Sequence, residues 1–359
     1  MTRVERRILF YSLVLVFMLT TPVIIGYALG FAIDPDTNEV ERTGGIFIKS
    51  KTPRLTIFLN GALAKETSLL SGSALLMDIS AGTHLVRLEK AEYTPWSKRT
   101  EVAPLRVAEF RNVLLFPHPN TRALATSTPD ERALMPSSVP PASGFRIDRN
   151  QNLIERATGK IIAPHVNSFG EIDGEVFFVD KNGFFARRAE SGVIETLGHP
   201  GFYLSEKPVR FLKSPADEII IIDPVGGLYL FDGASVAPLE GGVKDVAFDT
   251  DGEKILFFHE KTIEVLWRAE NSYQPFQKKD TRENMEFDAP VLYARWYHRD
   301  DAHIIVLTRD GVYITELDGR GGRNTAPLIE GRVDEIFTTP DLPEAIFIKK
   351  GKTWFTMRL

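Results

Sequence analysis

An apolar strand recurs five times in the second half of this chain, and that repeat constrains the fold more than any other feature. The copies are Glu175-Val-Phe-Phe-Val-Asp180, Glu218-Ile-Ile-Ile-Ile-Asp223, Lys254-Ile-Leu-Phe-Phe-His259, His303-Ile-Ile-Val-Leu-Thr308 and Glu344-Ala-Ile-Phe-Ile-Lys349. They begin roughly 36 to 49 residues apart. A second strand follows each within a few residues, as at Gly227-Leu-Tyr-Leu-Phe231 and Thr262-Ile-Glu-Val-Leu-Trp267. Four of the five are also preceded by one, as at Val243-Lys-Asp-Val-Ala-Phe248 and Leu292-Tyr-Ala-Arg-Trp296. A unit of about 40–45 residues and up to four strands is the period of a β-propeller blade. The recurring strands are apolar without alternation, as expected of strands buried on both faces. A two-sheet sandwich of similar spacing is the alternative.

The last unit stops at Leu359 after its third strand, so its outer strand must come from elsewhere. Gly159-Lys-Ile-Ile-Ala163 occupies the outer-strand place just before the first unit. It is expected to complete the last blade and so remove an open edge. Phe145-Arg-Ile-Asp148 and Asn152-Leu-Ile-Glu155 add part of a sixth blade, which leaves the count at five or six. The turns Ser214-Pro215-Ala216-Asp217, Asp249-Thr250-Asp251-Gly252 and Thr339-Pro340-Asp341 each stand before an apolar strand. On those residues the region resembles WD40-like and TolB-like propeller repeats, although no Trp-Asp dipeptide closes the blades.

The amino-terminal end sets a different constraint. Ile8 to Ile33 contains no charged residue, and a helix needs only about 20 apolar residues to cross a bilayer. Arg3, Arg6 and Arg7 precede the stretch, and Asp34, Asp36, Glu39 and Glu41 follow it. Basic flanks stay in the cytoplasm, so residues 1–7 are read as a cytoplasmic tail, 8–33 as a transmembrane helix and the body as extracytoplasmic. A cleaved signal peptide ending at the small-x-small site Ala28–Gly30 is the competing reading, but signal cores are shorter, about 7–15 residues. A buried core helix is the third, weakened by Pro22, Gly26 and Gly30.

Residues 44–117 read as short strands punctuated by turns, with Asn60-Gly61 as a strong hairpin signal. The order Gly45-Ile-Phe-Ile-Lys-Ser50, Pro53, Ile57-Phe58-Leu59-Asn60-Gly61, Asp78-Ile79-Ser80-Ala81-Gly82-Thr83-His84-Leu85-Val86-Arg87-Leu88 and Glu92-Tyr93 resembles a PEGA domain. Two positions depart from that family. Its naming tetrapeptide reads Thr52-Pro53-Arg54-Leu55 here, and Glu92 stands where the family has glycine. The resemblance implies an extracytoplasmic β module of envelope proteins, with no catalytic residues to carry over. Residues 118–143 are rich in Pro, Ser, Thr and Ala and poor in core material, as a semi-extended linker is. Residues 144–359 are the propeller. The fold class is thus all-β, with a transmembrane helix, a small PEGA-like β-sandwich and a five- or six-bladed propeller.

Composition narrows the chemistry. A net charge of −5 argues against nucleic acid as partner. The chain has no cysteine, which removes disulfides, thiolate nucleophiles and thiolate metal sites. Asp249-x-Asp251-Gly252 with Glu260 only superficially matches a calcium loop: position 6 is Lys254 and the flanks are strands. No HExxH, G-x-S-x-G or Ser/His/Asp constellation stands out among the seven histidines and the scattered acids. No cofactor or metal is expected. Gly319-Arg320-Gly321-Gly322-Arg323 is read as a long blade hairpin, since a phosphate loop needs a following helix. Trp296, Tyr297, Arg299, Arg320 and Arg323 are the candidate binding residues, as an aromatic-basic cluster and a basic loop. The functional expectation is a non-enzymatic single-pass envelope protein that binds a protein or a cell-surface polysaccharide. The alternative is an anchored hydrolase or lyase with its site in the propeller channel.

Overall fold

The computed structural model describes residues 3–28, 30–33, 40–119, 124–135 and 143–359. The acidic Asp34, Asp36 and Glu39 lie outside the described residues, as do residue 29 of the small-x-small site and residues 120–123 and 136–142 of the expected linker. Two compact units organise the chain. The first holds Met1–Thr121 with Asn271–Gln277 and Glu316–Ala326, and the second holds the rest.

Among the described residues one helix, Arg3–Ala28, is long and apolar enough to cross a membrane, and its apolar window is wholly unburied. Core helices hide such a surface, so the buried-helix reading is set aside. Its uncharged part, from Ile8 onward, rises about 30 Å at ~1.5 Å per residue, the thickness of a hydrocarbon core. The helix ends earlier than the apolar run does. Gly30 takes φ +74° and donates its N–H to the Tyr27 carbonyl (2.9 Å), a left-handed stop that glycine adopts without strain. Phe31–Ile33 is then a strand, with Phe31 opposite Arg42 and Ile33 opposite Val40. The expected span of 8–33 therefore gives up its last three residues to a sheet.

Two four-stranded sheets face each other in the first unit. One contains Phe31–Ile33, Val40–Ser50, Ser73–Ser80 and Val107–Val113, the last running parallel to Val40–Ser50. The other is ordered Ala62–Glu66, Thr56–Leu59, Gly82–Glu89, Trp96–Val102. Ile46, Ile48, Leu55, Ile57, Val86 and Leu88 are fully buried between them. Asn60 and Gly61 have φ of +52° and +87°, the paired positive values that a type I′ hairpin demands. Two strands escape a sequence reading. Ala62–Glu66 is exposed at every position, so nothing alternates. Trp96–Val102 alternates, but Lys98 and Thr100 occupy two of its inward positions.

Among its described residues the second unit contains six sheets in chain order. The first has three strands, Phe145–Ile147, Leu153–Glu155 and Ile161–Ala163. The next four have four strands each, and the sixth is ordered Glu335–Phe337, Ala345–Lys350, Thr353–Arg358, Ala125–Thr126. The propeller thus has six blades. The repeat strands are their second strands, and all four positions of Ile219–Ile222, like all five of Lys254–Phe258, are buried, as strands sandwiched between neighbouring blades must be. Each apolar cluster joins successive blades: Ile221 and Tyr229 of the third with Phe177 and Phe185 of the second, and Ile220 and Leu228 of the third with Ile255 and Phe257 of the fourth. Three tight turns share one device. An oxygen of Asp148, Asp180 or Asp223 accepts the backbone N–H groups two and four residues on, at 2.7–3.0 Å.

Closure corrects the sequence expectation. The outer strand of the last blade does come from the amino-terminal side, but it is Ala125–Thr126 and not Gly159–Ala163. Ile161–Ala163 instead pairs with Leu153–Glu155 as the third strand of the first blade. Ala125 lies opposite Thr356 and Thr126 opposite Phe355, Ser127 N–H donates to Trp354 O (3.0 Å), and the buried Ser127 and Thr356 hydroxyls meet at 2.9 Å. A short helix, Pro129–Ala133, follows with a capping box: Thr128 Oγ1 accepts from Glu131 N, and Glu131 accepts from Thr128 N (2.9 Å). Glu131 also receives Arg358 (2.8 Å) and the Thr356 hydroxyl (3.0 Å). The Thr128 N–H first, then Arg358, hold the Glu131 carboxyl at about 2. Its folded value lies below the unfolded one of roughly 4.3, so the stability it adds is present above that value and is lost as pH falls toward 2. Urea midpoints at pH 5 and pH 3 should therefore differ less for Glu131→Gln than for the native chain; an equal difference would exclude this anchor.

Candidate functional site

The first strands of the third to sixth blades end at one recess of about 530 Å³. Equivalent strands of four blades can line a common cavity only at the propeller axis, so this is a mouth of the central channel. Lys213, Phe248, Asp249, Arg295, His298 and Thr338 contribute to it.

Its one lining acid, Asp249, and the aspartate that pairs with the lining His298 are already engaged. Asp249 is buried, with Lys254 Nζ at 2.6 Å and the Lys254 N–H at 3.0 Å. Burial pushes its carboxyl above the usual aspartate range, and the Lys254 ammonium offsets this only in part. That ammonium lies between the rings of Trp267 and Trp296, 5.1 and 5.6 Å from their centroids. On the adjacent blade, His298 Nδ1 is 3.2 Å from Asp301 Oδ1 and 3.3 Å from Thr250 Oγ1. Burial opposes ionisation of Asp301, yet hydrogen bonds from His298 and Thr250 outweigh it and leave the carboxyl below its ordinary value. Lys213 pairs with Asp173 and Asp217, and Arg295 donates to Asp245 (3.0 Å). The Thr338 hydroxyl, in a residue 7% exposed, has no hydrogen-bond partner among the described residues. The mouth is therefore mostly apolar, with most of its charges neutralised in place.

The candidate residues read from sequence do not assemble into one patch. Trp296 and Tyr297 are fully buried, so neither ring is a surface contact. Trp296 closes a strand whose inward positions pack against the neighbouring blade, with its indole N–H on Ala247 O (3.2 Å). Tyr297 donates to Leu359 O (3.3 Å), and the exposed Arg299 donates to the same oxygen (2.8 Å). Arg320 and Arg323 belong to the first unit. Arg323 donates to the Glu316 and Leu317 carbonyls at 2.8 and 2.7 Å. Arg320 grips Asp318 (2.7 Å) and Glu109 O (2.8 Å) and lies over the Phe110 ring. The basic loop is indeed a hairpin, between Gly311–Glu316 and Thr325–Glu330, and its guanidiniums brace the first unit.

Sequence reasoning missed the centre of that bracing, Lys98. Its side chain is wholly buried, 2.9 Å from Glu316 and 3.7 Å from Asp318, and it donates to the carbonyls of Asp318 (2.5 Å) and Arg320 (3.0 Å). Glu316 also accepts the Trp96 indole N–H (2.9 Å) and both nitrogens of Asn324 (2.7 and 2.8 Å). A lysine at an inward position of an alternating strand was the available signal.

No protein-family model matches the chain, and a comparison with curated proteins finds no match. Among solved structures, it is similar to the β-propeller domain of Cps50 (Swd1) from Myceliophteria thermophila, at 11% identity and TM-score 0.38 over 58% of this chain and 76% of that one. It is also similar to YCF48 from Cyanidioschyzon merolae, at 9% identity and TM-score 0.36 over 76% and 79%. A gluconolactonase from Xanthomonas campestris gives 12% identity and TM-score 0.32 over 58% and 79%. Fold does not carry function, and at these values none of their activities transfers.

Proposed function

We propose that this chain is a single-pass envelope protein, cytoplasmic at its N-terminus, that holds a PEGA-like sandwich and a propeller outside the membrane to bind a protein or a cell-surface glycan. The observation that carries the reading is the passage from the unburied apolar helix straight into the sandwich. The Gly30 carbonyl accepts both the N–H (2.8 Å) and the hydroxyl (3.1 Å) of Thr43, and Phe31–Ile33 is part of a sheet. Cleavage after Gly30 would cut through that joint, which favours an anchor over a removed leader. The PEGA resemblance of residues 44–117 is supported by the hairpin at Asn60-Gly61 and by strands at Ser73–Ser80 and Gly82–Glu89.

Binding is favoured over catalysis because Asp249 is already paired with Lys254, and Asp301 with His298. A channel hydrolase or lyase is the second reading, favoured by the convergence of Asp249 and His298 from adjacent blades on one recess. Asp249→Asn and His298→Asn would abolish such an activity and leave binding elsewhere intact.

The protein should sediment with membranes and resist carbonate extraction, as a spanning helix does and a surface helix does not. Protease added to spheroplasts should digest the body. Release by carbonate, or a protected body, would overturn the reading.

A further inference from the structure

The first unit contains a cleft of about 760 Å³, within the ~300–1,000 Å³ range of small-ligand sites. Strands Trp96–Val102 and Val107–Val113 form one side, and residues 274–276 and 320–321 the other. Its backbone groups are already paired. Gln274 donates to Val107 O (2.9 Å) and accepts from Glu109 N (3.2 Å). Arg320 takes Glu109 O, and Arg99 N–H donates to Gly321 O (3.1 Å). An extended peptide adding itself as a strand would find these sites filled, so recognition falls to side chains.

Those side chains are of two kinds. Arg99 and Arg106 are exposed, and neither guanidinium has a partner among the described residues. Glu101 is the single acid on the lining, and Arg320 is neutralised by Asp318. Two arginines without side-chain partners among the described residues thus line one cleft, on a chain whose net charge is −5. Phe276 stands at the same cleft with 69% of its surface exposed. Its loop is closed by Asn271 N–H on Gln277 O (2.9 Å) and Asn271 Nδ2 on Pro275 O (3.0 Å), so the ring is held out by a braced turn. An exposed aromatic on a rigid loop is a platform for an apolar face. Guanidiniums favour planar carboxylates, which they bind with two parallel hydrogen bonds.

We propose that this cleft binds a carboxylated oligosaccharide, with the C–H face of one sugar on Phe276 and uronate carboxylates on Arg99 and Arg106. The proposal rests on the envelope-binding reading and names its ligand class.

The test is calorimetric titration of the full-length protein in nanodiscs with tetragalacturonate, neutral maltotetraose, poly-L-glutamate and inorganic phosphate. The uronate should bind, more weakly as salt rises, and the neutral sugar at least about tenfold more weakly. Arg99→Gln/Arg106→Gln should reduce uronate affinity about tenfold or more. Phe276→Ala should reduce it severalfold and leave poly-glutamate and phosphate unchanged. All three residues are exposed, so melting temperatures should match the native protein. Poly-glutamate binding as tightly as uronate, with no effect of Phe276→Ala, would make this an acidic-peptide site and overturn the proposal. Equal competition by phosphate would reduce it to a simple anion site and overturn it too. Uronate binding unchanged in the double arginine variant would also overturn it, while leaving the envelope-binding reading intact. That reading falls separately, if external protease cannot reach the body.

Discussion

Replacing Lys98 by methionine should destabilise the first unit by about 3–5 kcal/mol, the cost of removing one partner from a buried ion pair. The substitution fills much of the same volume, so the loss is electrostatic more than steric. It strands the Glu316 carboxylate, which is buried beside Trp96, and removes the donor from the carbonyls of Asp318 and Arg320. The remaining hydrogen bonds from Trp96 and Asn324 soften the loss without supplying the missing positive charge. Adding Glu316→Gln should therefore recover part of the stability, because a neutral amide costs less to bury than an unpaired carboxylate. An unfolding free energy from urea titration within roughly 0.5 kcal/mol of the native value, the usual range for surface substitutions, would show that the lysine is not holding the loop 316–326 in this unit.

Periodicity made the propeller legible, and polarity hid what is built on it. Stretches such as Ile219–Ile222 can be so uniformly apolar only if neighbours cover both faces, so blade positions follow from hydrophobicity alone. The need for a borrowed outer strand was legible from the last unit's missing one. Its identity was not, because a two-residue strand works through backbone hydrogen bonds that leave no side-chain pattern. A local sign was nonetheless present in Thr128-Pro129-Asp130-Glu131, a capping box with proline at the first helical position, inside what composition marks as linker. The candidate site was less legible still. Trp296 and Tyr297 look like a recognition surface because aromatics beside basic residues often are one, yet both rings are fully buried in blade packing. Arg320 and Arg323 looked free because the partners that hold them are carbonyls and an aspartate within the same hairpin, together with Glu109, distant in sequence. Phe276 passed unnoticed because exposure of a single phenylalanine cannot be read from a Pro-Phe-Gln context.

The closing strand yields the second large effect. A propeller beginning at residue 143 should have a lower midpoint than one beginning at residue 124, although the two differ only by a segment that composition assigns to the linker. The longer form retains the pairing of Ala125 and Thr126 with Thr356 and Phe355, the Ser127 N–H on Trp354 O and the buried Ser127–Thr356 hydroxyl pair. At ~0.5–1.5 kcal/mol net per hydrogen bond, the shorter form should lose roughly 2–4 kcal/mol. The ion pair of Glu131 with Arg358 adds little, because the arginine side chain is 59% exposed. Loss of the strand also leaves Thr353–Arg358 as an open edge carrying Trp354 and Phe355, a template for pairing with other copies. Concentration-dependent aggregation should accompany the lower midpoint. Ser127→Pro in the full chain gives an independent reading, since it removes both the N–H and the hydroxyl while keeping every other residue. Equal midpoints for the two truncations, with no aggregation of the shorter one, would mean that the last blade is stable with three strands and that the ring is held by blade packing alone.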